Sequence, residues 1–303
     1  CSFDRTLLKQ LGTALGEAAR AESVDILLGP GLNCKRSPLC GRNFEYFSED
    51  PVVSGELAAA YVEGVQSQSV GVSVKHFALN NQEIRRMIVE SVADERAMFE
   101  LYLAGFERVF QKTRPWTVMC SYNRVKGLQA SDNHWLLTDV LRTRFGFDGL
   151  VMSDWGAVYD RVKGVSAGMD VEMPYIDPYR DYLAEQAVLN GTLDESDVDR
   201  CAERVCELAL RARARQPLEQ KHDEHHAFAR KAATKGAVLL KNEDSLLPLK
   251  PGASVAVVGA FAKTPRYQGA GSSKVVPYKI DVPFDELTAL GLSTEYAQGY
   301  AME

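Results

Sequence analysis

Short apolar runs alternate with amphipathic stretches from residue 4 to about residue 212. The runs at 24–28, 71–74, 117–120, 149–152 and 169–173 predict strands. Between them Leu8, Leu11 and Leu15 recur at helical spacing, as do Phe99, Tyr102, Phe106 and Val109. Strands that are apolar without alternation, separated by helices, predict a parallel sheet covered on both faces. Five such units are too few to close an eight-stranded barrel. Either the sheet is open and doubly wound, or the first units of a barrel lie upstream of Cys1.

The polar residues at the strand ends separate these two architectures. Residues 24–28 lead into a loop with Arg42, Asn43 and Glu45. Residues 71–74 lead into Lys75 and His76, 117–120 into Ser121, Tyr122 and Asn123, and 149–152 into Ser153, Asp154 and Trp155. The last run carries Asp170 and Glu172. A barrel gathers its site from many strand ends around one mouth, whereas an open sheet uses mainly a switch point. Five loaded strand ends favour the barrel. From about 216 to 226 the chain turns polar, as in a linker. A second unit follows, where 228–240 reads as a helix running into an apolar stretch and Ser254-Val-Ala-Val-Val-Gly as a strongly buried strand.

Composition narrows the function classes. With 46% hydrophobic and 25% charged residues the chain is ordinary globular material. Its net charge of −6 argues against a nucleic-acid partner. No apolar run is long enough to span a membrane. No signal peptide is visible, although the opening Cys1-Ser-Phe-Asp, almost directly on a helix, reads as a cut start. Cys1, Cys34, Cys40, Cys120, Cys201 and Cys206 contain no C-x-x-C pair, so zinc and redox readings are weak. Cys34 and Cys40 share a loop and could be bridged, but reduced thiols, and with them a cytoplasmic location, are favoured. Neither a metal nor a cofactor is expected. His222, His225 and His226 fall in the charged stretch. The glycine-rich Gly269-Ala-Gly-Ser-Ser lacks the ending of a phosphate loop.

Asp154 is the sharpest candidate. A carboxylate at a barrel mouth can attack an anomeric carbon, and the adjacent Trp155 offers a sugar ring an apolar face. From Ser-Asp-Trp alone a helix N-cap is the favoured reading. Lys75 and His76 are donors suited to hydroxyls, with a surface lysine and a core histidine as the plainer alternatives. Arg42 offers a rigid fork of donors, or a structural pairing with Glu45 or Glu49. Arg85 and Arg86 do not both face inward. Tyr122 divides evenly between site and core.

Six strings together resemble glycoside hydrolase family 3. They are Gly41-Arg-Asn-Phe-Glu-Tyr-Phe-Ser-Glu-Asp-Pro, Lys75-His-Phe-Ala-Leu-Asn-Asn-Gln-Glu, Met119-Cys-Ser-Tyr-Asn, Gly149-Leu-Val-Met-Ser-Asp-Trp, Ala167-Gly-Met-Asp-Val-Glu-Met-Pro and Gly236-Ala-Val-Leu-Leu-Lys-Asn-Glu. Their order and spacing match across nearly the whole chain, and the likeness is to bacterial β-glucosidases. The resemblance implies a (β/α)8-type, TIM-like barrel over residues 1–212, incomplete at its N-terminus. A linker follows over 213–230, and the beginning of an α/β sandwich domain over 231–303. It implies that Asp154 is the nucleophile of a retaining mechanism acting on a small β-glucoside or oligosaccharide. Arg42, Lys75, His76, Arg86 and Tyr122 then hold the non-reducing sugar, and Trp155 flanks it. Ser272 or Ser273 reaches in from the second domain. Homo-oligomerisation is left open.

Two departures from the family pattern stand out. The family's Asp-Gly-Pro segment, whose aspartate grips the sugar, has no match and is expected upstream of Cys1. The family's acid/base glutamate is expected beyond Glu303, so residues 1–303 alone should not complete a normal cycle. An N-acetylglucosaminidase of the family carries Pro-Gly-His-Gly where Ala78-Leu-Asn-Asn stands here, which counts against it. A xylosidase or arabinosidase is harder to exclude. A non-catalytic carbohydrate binder has no need of Asp154.

Overall fold

The computed structural model describes residues 2–213, 216–269 and 271–301. Cys1, residues 214–215 of the expected linker, Ala270 of the glycine-rich loop and the last two residues lie outside this set. The chain divides into two compact units, Cys1–Lys221 and His222–Glu303.

The first unit opens with α1 (Arg5–Ala21), whose N-terminus is capped by Asp4 accepting from the backbone of Thr6 and Leu7. Helix α2 (Pro51–Gln66) starts the same way, with Asp50 as cap and Pro51 in its first turn. The two helices meet through glycine. A Cβ on Gly64 would stand 2.2 Å from the Lys9 carbonyl oxygen, and one on Gly12 would stand 2.4 Å from that of Tyr61. The expected leucine stripe is therefore shifted. Leu8, Gly12, Gly16 and Ala19 face inward, while Leu15 is exposed, because close backbone approach selects the small face.

Strands β1 (Ile26–Leu27), β2 (Gly71–Phe77), β3 (Thr117–Cys120) and β6 (Leu150–Met152) form one parallel sheet in the order β1-β2-β3-β6. A small antiparallel hairpin, β4 (Arg124–Val125) and β5 (Leu128–Gln129), follows β3. Val74 lies beside Val118, and Val118 beside Val151. The run at 169–173 makes only a single bridge, Met152 to Val171. Strand β2 runs three residues past its expected end, so Lys75 and His76 belong to the strand itself. The register shifts between Val74 and Phe77, where Gly31 bridges to Lys75.

Behind the sheet, Phe77 meets Phe106 edge-on at 5.1 Å, with Leu103, Leu136, Leu137 and Leu141 completing a fully buried cluster. Phe106 and Val109 lie in α4 (Ala104–Lys112). Phe99 and Tyr102 only flank the core, because α3 (Glu95–Ala97) passes into a π-helical turn, Met98–Tyr102, that rotates them away. Helices α5 (Arg161–Ala167), α6 (Pro178–Leu189) and α7 (Glu195–Arg213) complete the unit. Asp170, with its side chain fully buried, pairs with Arg142 at 2.9 Å and Arg204 at 2.8 Å and accepts from the Val151 backbone at 2.7 Å. It anchors strand to helix and is not part of an open site.

In the second unit, α8 (His222–Gly236) begins earlier than the sequence pattern suggests. His222, His225 and His226 sit in its first turns, within the stretch expected as linker. His226 contacts Asp281 at 3.0 Å and His222 stacks on Tyr278. The helix ends at Gly236, and the apolar residues 238–240 beyond it form no regular element and are exposed. Strand β7 (Ser254–Val258) pairs in parallel with β8 (Ser293–Ala297), reached through α9 (Pro283–Ala289). It alternates between exposed and half-buried positions instead of being strongly buried. An apolar strand is fully buried only when layers cover both its faces.

Candidate active site

Asp154 lies two residues beyond the end of β6, after Ser153. Its loop is held by backbone bonds from Ser153 to Val171 at 2.9 Å and from Gly156 to Met173 at 2.7 Å. Gly156 adopts φ +73°, a left-handed turn that glycine takes without strain. Asp154 Oδ1 accepts from the Trp155 backbone N–H at 2.7 Å. The carboxylate caps no helix, since α5 starts at Arg161 and is capped by Asp160. The N-cap reading of Ser-Asp-Trp is thereby set aside. Asp154 Oδ2 is buried without a hydrogen-bond partner among the described residues. It lies 3.6 Å from His76 Nε2 and 3.9 Å from Arg42 Nη1.

Arg42 and Lys75 are joined by Glu45. One carboxylate oxygen accepts from Arg42 Nε at 2.5 Å, and the other lies 3.2 Å from Lys75 Nζ. Burial alone would raise the Glu45 carboxyl, but hydrogen bonds and charge from Arg42 and Lys75 outweigh it and hold it below the ordinary range. Burial alone would lower Arg42. Its neighbours Tyr46, Glu45 and Asp154 outweigh that and raise it. The structural pairing of Arg42 with Glu45 and its approach to Asp154 thus hold together; they are not alternatives.

His76 is fully buried. Asn33 grips its backbone from both sides, accepting from the His76 N–H and donating to its carbonyl, each at 2.9 Å. Tyr46 Oη lies 3.0 Å from His76 Nδ1. Burial, then the charges of Arg42, Lys75 and Arg86, push the imidazole well below its ordinary pKa, so the ring is neutral. Tyr122 donates to the Trp155 carbonyl at 3.2 Å. Burial and the adjacent Asp154 carboxylate push its phenol up to about 12. Arg86 pairs with Glu83 at 2.6 Å and lies over the Tyr122 ring at 4.5 Å, while Arg85 takes φ +53°. Trp155 is 64% exposed, leaving its indole open to solvent.

Arg42, His76, Tyr122 and Trp155 thus stand next to Asp154, Arg86 reaches it through Tyr122, and Lys75 reaches it through Glu45 and Arg42. Ser272 and Ser273 lie in the second unit, on an exposed turn, Gly271–Ser273. Glu172 is held by Arg161 and Arg180, with its carboxylate buried. Cys34 and Cys40 are free thiols, and burial raises Cys34 to about 11. Tyr46 and Asn33 carry no mark of their own in the sequence beyond the string that holds Tyr46 beside Arg42, whereas Glu45 is marked there only as a strand-end side chain and as a pairing partner for Arg42. No group of ligands suited to a metal ion occurs among the described residues.

This is the architecture of a glycoside hydrolase. Residues 1–208 match the glycosyl hydrolase family 3 N terminal domain and residues 237–298 match the glycosyl hydrolase family 3 C-terminal domain. The chain belongs to that family, with the family's barrel-then-sandwich fold. It is 50% identical over its whole length to thermostable beta-glucosidase B of Acetivibrio thermocellus, covering 41% of that protein. It is 44% identical, again over its whole length, to an exo-alpha-(1->6)-L-arabinopyranosidase of Bifidobacterium longum, covering 41% of it. The crystal structure of a family 3 beta-glucosidase from Bifidobacterium adolescentis superposes with a TM-score of 0.95 at 43% identity, over all of this chain and 45% of that one. The chain thus spans about two fifths of the length of the curated relatives it matches.

Proposed function

We propose that the full-length protein hydrolyses terminal non-reducing β-D-glucosyl residues by a retaining double displacement, with Asp154 as nucleophile. The observation that carries this reading is the state of Asp154 Oδ2. It is a buried carboxylate oxygen without a hydrogen-bond partner among the described residues, at a strand end, between a guanidinium and a neutral imidazole. A purely structural aspartate in such a place is consumed by its neighbours, as Asp170 is. In the first step Asp154 Oδ2 attacks the anomeric carbon, the bond to the aglycone breaks and a glycosyl ester forms. Water then cleaves the ester with net retention. Arg42, Lys75, His76 and Arg86 supply donors for sugar hydroxyls, and Trp155 an apolar face. Retention also needs a second carboxyl group about 5–5.5 Å away as acid and base. Glu172 is a poor candidate because two arginines hold it. The family pattern puts this role on a glutamate of the sandwich domain. A 2-fluoroglucoside trap followed by peptide mapping tests the assignment. The label belongs on Asp154, and Asp154→Asn should lower kcat by several orders of magnitude. A label on Asp170 or Glu172 would overturn it.

A second reading, an arabinopyranosidase, is favoured by the 44% identity to the Bifidobacterium longum enzyme. Nitrophenyl β-glucoside, β-xyloside, α-L-arabinopyranoside and N-acetyl-β-glucosaminide, compared by kcat/KM, separate the readings. The glucoside should rank first. Failure with all four would favour a carbohydrate-binding role.

A further inference from the structure

We propose that Tyr46 is a positioning residue that fixes His76 as the tautomer with its proton on Nε2, facing Asp154. The proposal rests on the reading of Asp154 and His76 as members of one sugar site. His76 Nδ1 has two neighbours, Tyr46 Oη at 3.0 Å and Asn33 Oδ1 at 3.4 Å. The orientation of the Asn33 amide is set by the backbone of His76, because its oxygen faces an N–H and its nitrogen faces a carbonyl. Asn33 Oδ1 is therefore an acceptor already in use. Tyr46 Oη has no other hydrogen-bond partner among the described residues, and its ring is buried edge-on to the imidazole.

Two arrangements compete. With the proton on Nδ1, it goes to Tyr46 Oη or to the more distant Asn33 Oδ1, the Tyr46 proton has no acceptor, and the bare Nε2 lone pair faces the Asp154 carboxylate at 3.6 Å. With the proton on Nε2, Tyr46 donates to Nδ1, and the N–H points toward the unpartnered Oδ2. The first leaves one buried proton unpaired and sets a lone pair against an anion. The second gives the phenol proton an acceptor and turns an N–H, not a lone pair, toward the anion, at a distance longer than a hydrogen bond that leaves Nε2 and Oδ2 without hydrogen-bond partners among the described residues. Burial keeps the phenol protonated, so it has a proton to donate. The neutral imidazole then presents a donor, rather than an acceptor, to the place where Asp154 and a sugar hydroxyl would meet. The hydrogen bond on one ring nitrogen sets the chemistry offered by the other.

The test is magic-angle-spinning NMR of the full-length protein labelled with 15N,13C-histidine, with His76 assigned by loss of its signals in His76→Gln. In the unaltered protein His76 should show a protonated Nε2 and a bare Nδ1. In Tyr46→Phe the donor to Nδ1 is gone and Asn33 Oδ1 becomes the best acceptor. The proton should then move to Nδ1, and kcat/KM on nitrophenyl glucoside should fall about tenfold, the scale of one hydrogen bond. A proton on Nδ1 in the unaltered protein overturns the proposal without recourse to any variant. A proton that stays on Nε2 in Tyr46→Phe, or a changed tautomer with kcat/KM within twofold, overturns the role of Tyr46. If the unaltered protein turns over no glycoside but its spectrum is as expected, the glucosidase reading fails while the proton placement stands.

Discussion

Replacing Glu45 by glutamine removes one negative charge shared by two cations and leaves the shape of the side chain intact. Glu45, Arg42 and Lys75 have side chains only 21%, 16% and 15% exposed, so water screens the cluster only in part. A hydrogen bond to a charged group contributes about 1.5–3 kcal/mol when shielded, whereas an exposed pair contributes about 0–1. Two part-buried contacts, with glutamine keeping one neutral acceptor, place the loss at about 2–3 kcal/mol. For a domain of this size that corresponds to a fall in Tm of roughly 4–12 °C. Arg42 also loses the contact that aims its Nη1 toward Asp154, so kcat/KM should fall by about one to two powers of ten, at 1.36 kcal/mol per tenfold. The pH dependence supplies an internal control. The folded-state pKa of Glu45 is depressed, so its stabilisation is fully present above the unfolded value of about 4.3 and is lost as pH falls through the folded value. The Tm gap between Glu45→Gln and the unaltered protein should be full at pH 7 and close below about pH 4. Scanning calorimetry across that range reads it directly. An unchanged Tm with kcat/KM within twofold, or a gap that persists unchanged in acid, would refute the clamp.

The remaining expectations are shorter. Alanine at Lys75, His76 or Arg86 should each lower kcat/KM in the full-length protein by about 1–3 kcal/mol, as for lost hydrogen bonds to a polar ligand. Steady-state kinetics showing no change in all three properly folded variants would exclude this sugar site. Asp170→Ala strands Arg142 and Arg204 and should destabilise the first unit by about 3–5 kcal/mol. Denaturant titration giving less than 1 kcal/mol would count against a buried clamp. Gly64→Ala places a methyl 2.2 Å from the Lys9 carbonyl and must push α1 from α2. A loss of several degrees in Tm is expected, and a neutral result would contradict the close crossing.

The local pattern of the chain determined a good deal. Unalternating apolar runs marked β3 and β6 nearly to the residue, and the start of β2, because strands covered on both faces must be apolar throughout. The polar residues at and beyond the ends of the apolar runs marked Arg42, Lys75, His76, Tyr122 and Asp154, because a parallel β/α sheet gathers its strand ends on one side. The family's strings set these residues in register. Only the tertiary structure decided what each side chain does with its neighbours. Asp154, which reads locally as a helix cap, makes no cap. Asp170 and Glu172, equally well placed along the chain, are taken up by pairs of arginines. Glu45 proves to link two cations. Asn33 and Tyr46 meet His76 across 43 and 30 residues of sequence. The same limit explains the shifted face of α1 and the half-exposed β7, where the approach of a partner helix or the lack of a covering layer overrides apolar periodicity. Hydrophobic period is a property of neighbours along the chain. Which charge is satisfied and which is left available is settled by neighbours in space.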